Sequence, residues 1–340
     1  MPQRLRAGFL ALAFLAAAPC AAADEQPDCA AIGDDGARLR CYDEADRRKA
    51  EAGTGFPYLV RTWNLGKTDT AGIGSIEAYQ PTYFLFWRKT NDTNTLPNSP
   101  APDHAVTAPQ DIDETEAKFQ LSFKTEVVRR TPIDFAPVNA LGVSGLRVWA
   151  AYTQQSSWQF YNTRNSRPFR ETDYEPELIA TFDRNVGSAG LKLVNIGMVH
   201  QSNGRADPLS RSWNRAYAQG GWEWPSYRLS LLARVWSRLD GGSNDDNPDI
   251  LKYMGHGDLV GHWEHGDNCS SDESRKSCQT VRILVRPNPG RSFVQIDWAT
   301  GWGVELARFH IQVTSGYGES LIDYNFAQTT FGFGISIGDW

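Results

Sequence analysis

From Ala117 to Val128 apolar and polar residues alternate. Phe119, Leu121, Phe123 and Val127 fall on one face, and Lys118, Gln120, Lys124 and Glu126 on the other. A period of two predicts a β-strand with one dry face. The end of the chain repeats it, with Phe331, Phe333, Ile335 and Ile337 alternating with Gly332, Gly334, Ser336 and Gly338 in Thr329–Asp339. Ten further segments carry strand texture: Tyr79–Arg88, Leu146–Gln154, Tyr174–Phe182, Leu191–Ser202, Arg211–Gln219, Tyr227–Arg238, Ile250–Trp263, Thr280–Arg286, Ser292–Trp298 and Val304–Val313. Twelve strands are therefore expected.

Beyond residue 23 no stretch approaches 18 consecutive apolar residues, so no membrane-spanning helix is expected. Many short alternating segments with a heavy aromatic and glycine load (16 Phe, 12 Trp, 12 Tyr, 30 Gly) are what a transmembrane barrel shows. The expectation is an all-β, twelve-stranded antiparallel transmembrane β-barrel over residues 77–340. An even strand number suits a bacterial single-chain barrel with both termini on the periplasmic side. The connections Thr90–Asp113, Trp158–Asp173, Asn203–Ser210, Asp240–Asp249, Pro287–Arg291 and Ser315–Phe326 then fall on the outer rim.

The address agrees. Arg4 and Arg6, an apolar run Ala7–Ala18 and small residues ending at Ala23 read as a secretory leader over residues 1–23. Residues 24–76 are expected to be a short periplasmic extension, with a solvated helix near Gly36–Gly53. The net charge is −6, and −8 without the leader's arginines, which argues against a nucleic-acid partner. Cys29, Cys41, Cys269 and Cys278 form two sequence-local pairs. In an exported chain these suggest Cys29–Cys41 and Cys269–Cys278 disulfides. No CxxC spacing supports zinc.

Candidate chemistry concentrates in VNIGMVHQSNGRADPLSRSWN, Val194 to Asn214. His200 and Ser202 share a strand face with Met198, Ile196 and Val194, the apolar one. In a membrane barrel that face meets lipid. Asn214 arrives on the next strand after a tight polar turn, so a hydroxyl, an imidazole and a carboxamide can meet as nucleophile, base and orienting group. A His-x-Ser pair alone is more often an ordinary strand end near headgroups. The oxygen-rich Asn203–Ser210 turn suits calcium chemically, although it follows no EF-hand pattern. Gln154 shares parity with Leu146, Val148, Ala150 and Tyr152, which puts an amide on the lipid face. A symmetry-related copy would supply its partner, the alternative being that the amide lies level with the headgroups and needs none.

HQSNGRADPLSRSWNRAY resembles the signature of the outer-membrane phospholipase A family. So do RPFRETDYEPEL (Arg167–Leu178), NDDNPDILKYMG (Asn244–Gly255) and SGYGESLIDYNFAQT (Ser315–Thr329). The resemblance covers roughly Glu77 to Trp340. It implies a calcium-dependent hydrolase of phospholipid and lysophospholipid acyl esters in the outer membrane, active as a homodimer. Ser202 matches the nucleophile, His200 the base, Asn214 the orienting residue and Gly204 the backbone oxyanion donor. Ser210 and the carbonyl of Arg205 match calcium ligands, and Ser166 one supplied by the opposite subunit. Asp207 and Asp246 match acidic residues near a second calcium position. The cysteine pairs and the terminal Trp340 are departures from the family core.

The main rival is a passive porin. Against it, Lys118, Lys124, Glu126, Trp213, Arg215, Tyr217 and Arg234 are expected inside a narrow lumen, where ion pairs and aromatics would fill it. Omptin-like proteases and lipid A deacylases use other strand counts and site residues. A soluble lipase lacks support because no GxSxG elbow occurs.

Overall fold

The computed structural model describes residues 57–66, 73–135, 142–184, 190–239, 245–266, 278–301 and 307–338, with single positions Cys29, Asp34, Gly36, Arg38, Cys41, Asn139, Gly241 and Gly242. Residues 1–53 and 54–340 form separate units. In the first, a disulfide joins Cys29 and Cys41, with 5.6 Å between Cα atoms. Gly36, Arg38 and Cys41 are helical there. In the second, Cys278 is disulfide-bonded. Its expected partner Cys269 lies outside the described residues, as do the leader and the rest of the expected helix.

The second unit is a sheet of thirteen strands: β1 (Ile76–Ala78), β2 (Thr82–Thr90), β3 (Thr115–Pro132), β4 (Val143–Trp158), β5 (Phe169–Arg184), β6 (Gly190–Ser202), β7 (Ser212–Trp224), β8 (Leu229–Arg238), β9 (Gly257–His265), β10 (Gln279–Arg286), β11 (Phe293–Gly301), β12 (Ala307–Tyr317) and β13 (Ala327–Ile337). From β2 onward each strand pairs antiparallel with its sequence neighbour, and β13 returns to β2. β1 continues the β2 edge of β3: Ala78 faces Phe123, and Tyr83 faces Gln120. Pro81, which has no N–H to give the ladder, separates β1 from β2. The two make one stave, and the barrel closes with twelve. Closure leaves no free edge, which is the condition for crossing hydrocarbon with strands.

The two faces are inverted relative to a water-soluble barrel. Leu121, Leu178, Ile196, Met198, Val235, Phe331 and Phe333 point outward and are exposed, while Lys118, Lys124, Glu126, Trp213, Arg215 and Tyr217 are buried inside. Paired charges make that interior tolerable. Asp297 receives Arg282 at 3.3 Å and His310 at 3.1 Å. Arg234 meets Asp258 at 2.6 Å, and Arg170 bridges Asp323 and Glu116 at 2.7 and 3.1 Å.

Both ends of the lumen are filled. At the outer end the connection after β12 folds inward, with Leu321, Ile322 and Tyr324 buried. The Leu321 N–H donates to Asp173 and the Ile322 N–H to Glu171, at 3.0 and 3.1 Å. Burial alone would raise the Glu319 carboxyl in this connection, but Arg88 and Lys118 beside it hold it well below the usual carboxylate range. The inner end is closed by residues 57–66. A short helix, Tyr58–Thr62, presents Leu59 and Val60. Together with Trp63 and Leu65 they pack on the inward side chains Trp149, Ala151, Ile179 and Leu193. Strand residues take up its polar groups: Glu223 accepts from the Leu59 N–H at 2.9 Å, Arg61 meets Glu264 at 2.6 Å, and Asp183 accepts from the Gly66 N–H at 3.0 Å.

The structure corrects the sequence reading in four places. The expected extension over residues 24–76 overlaps the barrel unit, because residues 57–66 are part of the barrel's interior. Ile250–Met254, expected to open a strand, is a helix. Ile250 and Met254, four apart, are both buried with Trp213, Trp236 and Leu321, which is helical spacing. The helix ends at Gly255, whose φ of 67° suits glycine. Finally, β8 begins at Leu229 after a single turn over Pro225–Tyr227, and β12 continues past Val313 to Tyr317, while positions 304–306 of the expected segment lie outside the described residues.

Trp63 meets Trp149 and Tyr79 edge-on, with centroids 6.4 and 5.9 Å apart. Trp63→Ala is expected to destabilise the barrel by about 3–5 kcal/mol, as for other buried tryptophans. Urea unfolding of vesicle-inserted protein, followed by gel mobility, reads this directly. A change under about 1 kcal/mol would mean the plug does not contribute to barrel stability.

Candidate active site on the outer wall

β6 and β7 form a hairpin whose register fixes the site. His200 lies opposite Asn214, and Ser202 opposite Ser212. Their neighbours Val199, Gln201, Trp213 and Arg215 are buried inside, so His200 is exposed on the outer wall, with Ser202 and Asn214 half-buried beside it. His200 Nδ1 and Asn214 Oδ1 are 2.8 Å apart. The amide oxygen can only accept, so Nδ1 carries the proton and donates to it. That leaves Nε2 as the basic nitrogen of the ring. The inward residues hold this register: Trp213 donates to Gln201 at 2.8 Å, and the Arg215 guanidinium lies 4.1 Å from the Trp213 ring centre.

The connection 203–211 is organised by Asn203, which is 3% exposed. Its amide nitrogen donates to the Leu209 carbonyl at 2.7 Å and to Glu171 at 3.0 Å. Its amide oxygen accepts from the Arg205 and Arg211 N–H groups at 3.3 and 3.0 Å. Arg211, equally buried, donates to the Pro208, Ser210 and His104 carbonyls. Burial pulls its guanidinium below the ordinary value, against nearby Tyr324 and Glu171. Neither residue stood out in the sequence, where an Asn and an Arg in a polar turn carry no visible role. The exposed Gly204 has φ 61°, and a Cβ there would come 3.2 Å from the Tyr174 ring. Both counts favour glycine there. Its N–H meets no acceptor among the described residues.

Of the expected metal ligands, Ser210 and Asp246 are brought together. The Ser210 hydroxyl donates to Asp246 Oδ2 at 2.7 Å, and the Ser212 hydroxyl lies 3.4 Å from the same oxygen. Asp207 is well exposed, at 3.0 Å from His104 Nε2. Arg205 is exposed on the same turn. The donors are hydroxyls, carboxylates and carbonyls, a hard oxygen set that fits calcium. Ser166 is not part of this group. It lies exposed in the connection 159–168 with φ 57°, beside Arg167 at 54°. Two consecutive non-glycine residues in the left-handed region are unusual and mark a constrained loop. Gln154 lies outward on β4. It accepts from the Tyr152 hydroxyl at 3.1 Å and donates to Ser156 at 3.3 Å. Gln154, Tyr174 and Ser202 stand in one row across three strands, roughly 10 Å from end to end.

The comparisons with known proteins come to one family. The phospholipase A1 family model matches residues 59–337. The phospholipase A1 of Escherichia coli K12 is 38% identical over 275 residues, covering 76% of this chain and 80% of that protein. The outer membrane phospholipase A structure from E. coli is similar with a TM-score of 0.65 at 30% identity, covering 84% of this chain and 98% of that one. An outer membrane phospholipase dimer from Salmonella typhi with bound calcium is similar with a TM-score of 0.64 at 29% identity, with the same coverage.

The His200–Asn214 contact fixes a tautomer that can be measured. In wild type, nitrogen-15 NMR of labelled His200 is expected to show a protonated Nδ1 in the neutral ring. In Asn214→Ala the proton is expected to redistribute toward Nε2. An unchanged tautomer in that variant would show that Asn214 does not orient the ring.

Proposed function

The chain belongs to the phospholipase A1 family of enzymes in the bacterial outer membrane, and on that premise we propose that it hydrolyses phospholipid and lysophospholipid acyl esters with a Ser202–His200–Asn214 triad, depending on calcium and acting as a homodimer. The observation that carries this reading is the 2.8 Å contact between His200 and Asn214 on the lipid-facing wall, two strand positions from an outward Ser202. The substrate's acyl chains already lie against that wall, so no lipid has to be extracted.

The reading implies the following steps. His200 Nε2 takes the Ser202 proton as Oγ attacks the acyl carbonyl. The Gly204 N–H donates to the oxygen that becomes negative. As the tetrahedral adduct collapses, the ester C–O bond breaks, and His200 returns the proton to the departing alcohol oxygen. Water then attacks the acyl-Ser202 ester, again losing its proton to Nε2, and the fatty acid leaves as the Ser202 hydroxyl reforms. When bound near Ser210 and the Arg205 carbonyl, calcium supplies positive charge that favours the oxyanion. Asn214 in place of a carboxylate suits this depth, because an ionised Asp near lipid costs a few kcal/mol. Its neutral amide holds the ring without stabilising the imidazolium.

The dimer rests on two outward features, Gln154 on the wall and Ser166 on the rim. We assign Ser166 to the calcium site of the partner subunit, and Gln154 to the seam between copies. Asp207 and Asp246 form a second calcium position. The porin alternative is disfavoured because ion pairs and residues 57–66 occupy the lumen.

Hydrolysis of phospholipid by refolded protein, with calcium and with chelator, tests this. Ser202→Ala and His200→Ala should lose roughly four orders of magnitude or more, Asn214→Ala only about 10²-fold, and chelator should abolish turnover. Equal losses from all three variants would remove Asn214 from the role proposed. Specific activity should also rise with protein concentration in detergent, and full activity of a diluted monomer would overturn the dimer requirement.

A further inference from the structure

His104, in the connection between β2 and β3, points into the acidic group beside the catalytic loop. The residue is 9% exposed. Its Nδ1 lies 2.5 Å from the Pro102 carbonyl oxygen. Its Nε2 lies 3.0 Å from Asp207 Oδ1 and 3.4 Å from Asp246 Oδ1, but without the alignment of a hydrogen bond to either. The ring edge therefore stands between two carboxylates without being bonded to them.

Its placement is built from the backbone outward. The Ser99 N–H and Arg211 both donate to the His104 carbonyl, at 2.9 and 3.2 Å. The Ser99 hydroxyl donates to the Asp246 carbonyl at 2.6 Å. The turn carrying His104 is thus tied to both acidic segments. Asp246 divides its two carboxylate oxygens: Oδ1 faces His104, and Oδ2 accepts from Ser210 and Ser212. Whatever occupies the space beside Oδ1 is one carboxylate away from the Ser210 hydroxyl.

We propose that His104 occupies the position a calcium ion would take between Asp207 and Asp246, so that this side chain sets the affinity of that position. The inference rests on the calcium dependence argued above. A bridging ion needs oxygens at about 2.3–2.6 Å, and the Nε2 edge already faces the two that would serve. Binding there has to displace the ring, which is held at its far side by Pro102. His104 is a positioning residue in this account: it touches neither substrate nor the reacting atoms.

Two substitutions separate occupancy from general damage to the loop. In His104→Asn the side-chain amide can still donate to Pro102 from the place of Nδ1, but nothing reaches the carboxylates. In His104→Gln the amide reaches the place of Nε2. Isothermal titration of the refolded full chain with calcium alone, without lipid, reads the affinity. We expect His104→Asn to bind calcium about fivefold more tightly or better than wild type, and His104→Gln to stay near wild type. Unchanged or weaker binding by His104→Asn, or equal tightening in both variants, would overturn the proposal. Phospholipid hydrolysis by the same preparations is scored separately. Failure to hydrolyse would sink the functional reading while leaving the titration interpretable.

Discussion

Closure of the hydrogen-bond ladder from β13 back to β2 is the constraint on which everything else depends. Once every backbone group inside the membrane is paired to a neighbouring strand, the only freedom left is which parity faces in. The charged parity goes in, because Asp297, Arg282 and His310 can satisfy one another there and could not in hydrocarbon. The apolar parity is then forced outward, and with it every residue that shares its register. His200 and Ser202 face lipid because Gln201 and Val199 do not.

That placement shapes the chemistry the wall can perform. In the triad proposed above, a nucleophile on a lipid-facing strand has few neighbours to activate it, so its base and the base's partner would have to come from the same hairpin. The cross-strand pairing of His200 with Asn214 meets this need with backbone register alone. The carboxylates are displaced to the rim, where Asp207 and Asp246 sit with Ser210 in connections rather than strands. The outer wall is thus divided by depth, with His200, Asn214 and Ser202 along the staves and the carboxylates of Asp207 and Asp246 at their ends.

The alternation that exposes the barrel in the sequence also explains what it conceals. Lys118, Glu126, Trp213 and Tyr217 were legible as inward because their parity opposes Phe119, Val127, Asn214 and Ala218. The same reasoning brought out His200 and Ser202, since a polar pair on an apolar face breaks the pattern. Residues 57–66 broke no pattern. A stretch such as Tyr58-Leu59-Val60, following a highly charged segment, carries no signal that its apolar side chains face Trp149 and Leu193 rather than each other. Asn203, Arg211 and His104 escaped for a different cause. Their roles are contacts with loop backbone and with residues more than 30 positions away, and no local periodicity encodes such contacts. The helix at Ile250–Met254 was readable from its four-residue spacing, but strand texture on both sides of it obscured the change of period.

The two fillings of the lumen differ in a way that bears on the site. The outer one sets the apolar Leu321 and Tyr324 among polar ties, with Glu171 and Asp173 of β5 accepting from the backbone of the connection after β12 and Asp323 of that connection meeting Arg170 of β5. Glu171 also holds Asn203, so the 203–211 turn is anchored through the barrel interior rather than from the lipid side. The inner filling is apolar, packed on Trp149, Ile179 and Leu193 of β4, β5 and β6, strands that also carry Gln154, Tyr174 and His200 farther out. A lipid-facing site has no solvent-side scaffold to stiffen it. Its rigidity has to come from behind, and here the ion pairs and the residue 57–66 segment press on the same staves from within. An empty lumen would leave those strands supported only by their ladders, which is enough to cross a membrane but gives a three-residue site no fixed floor.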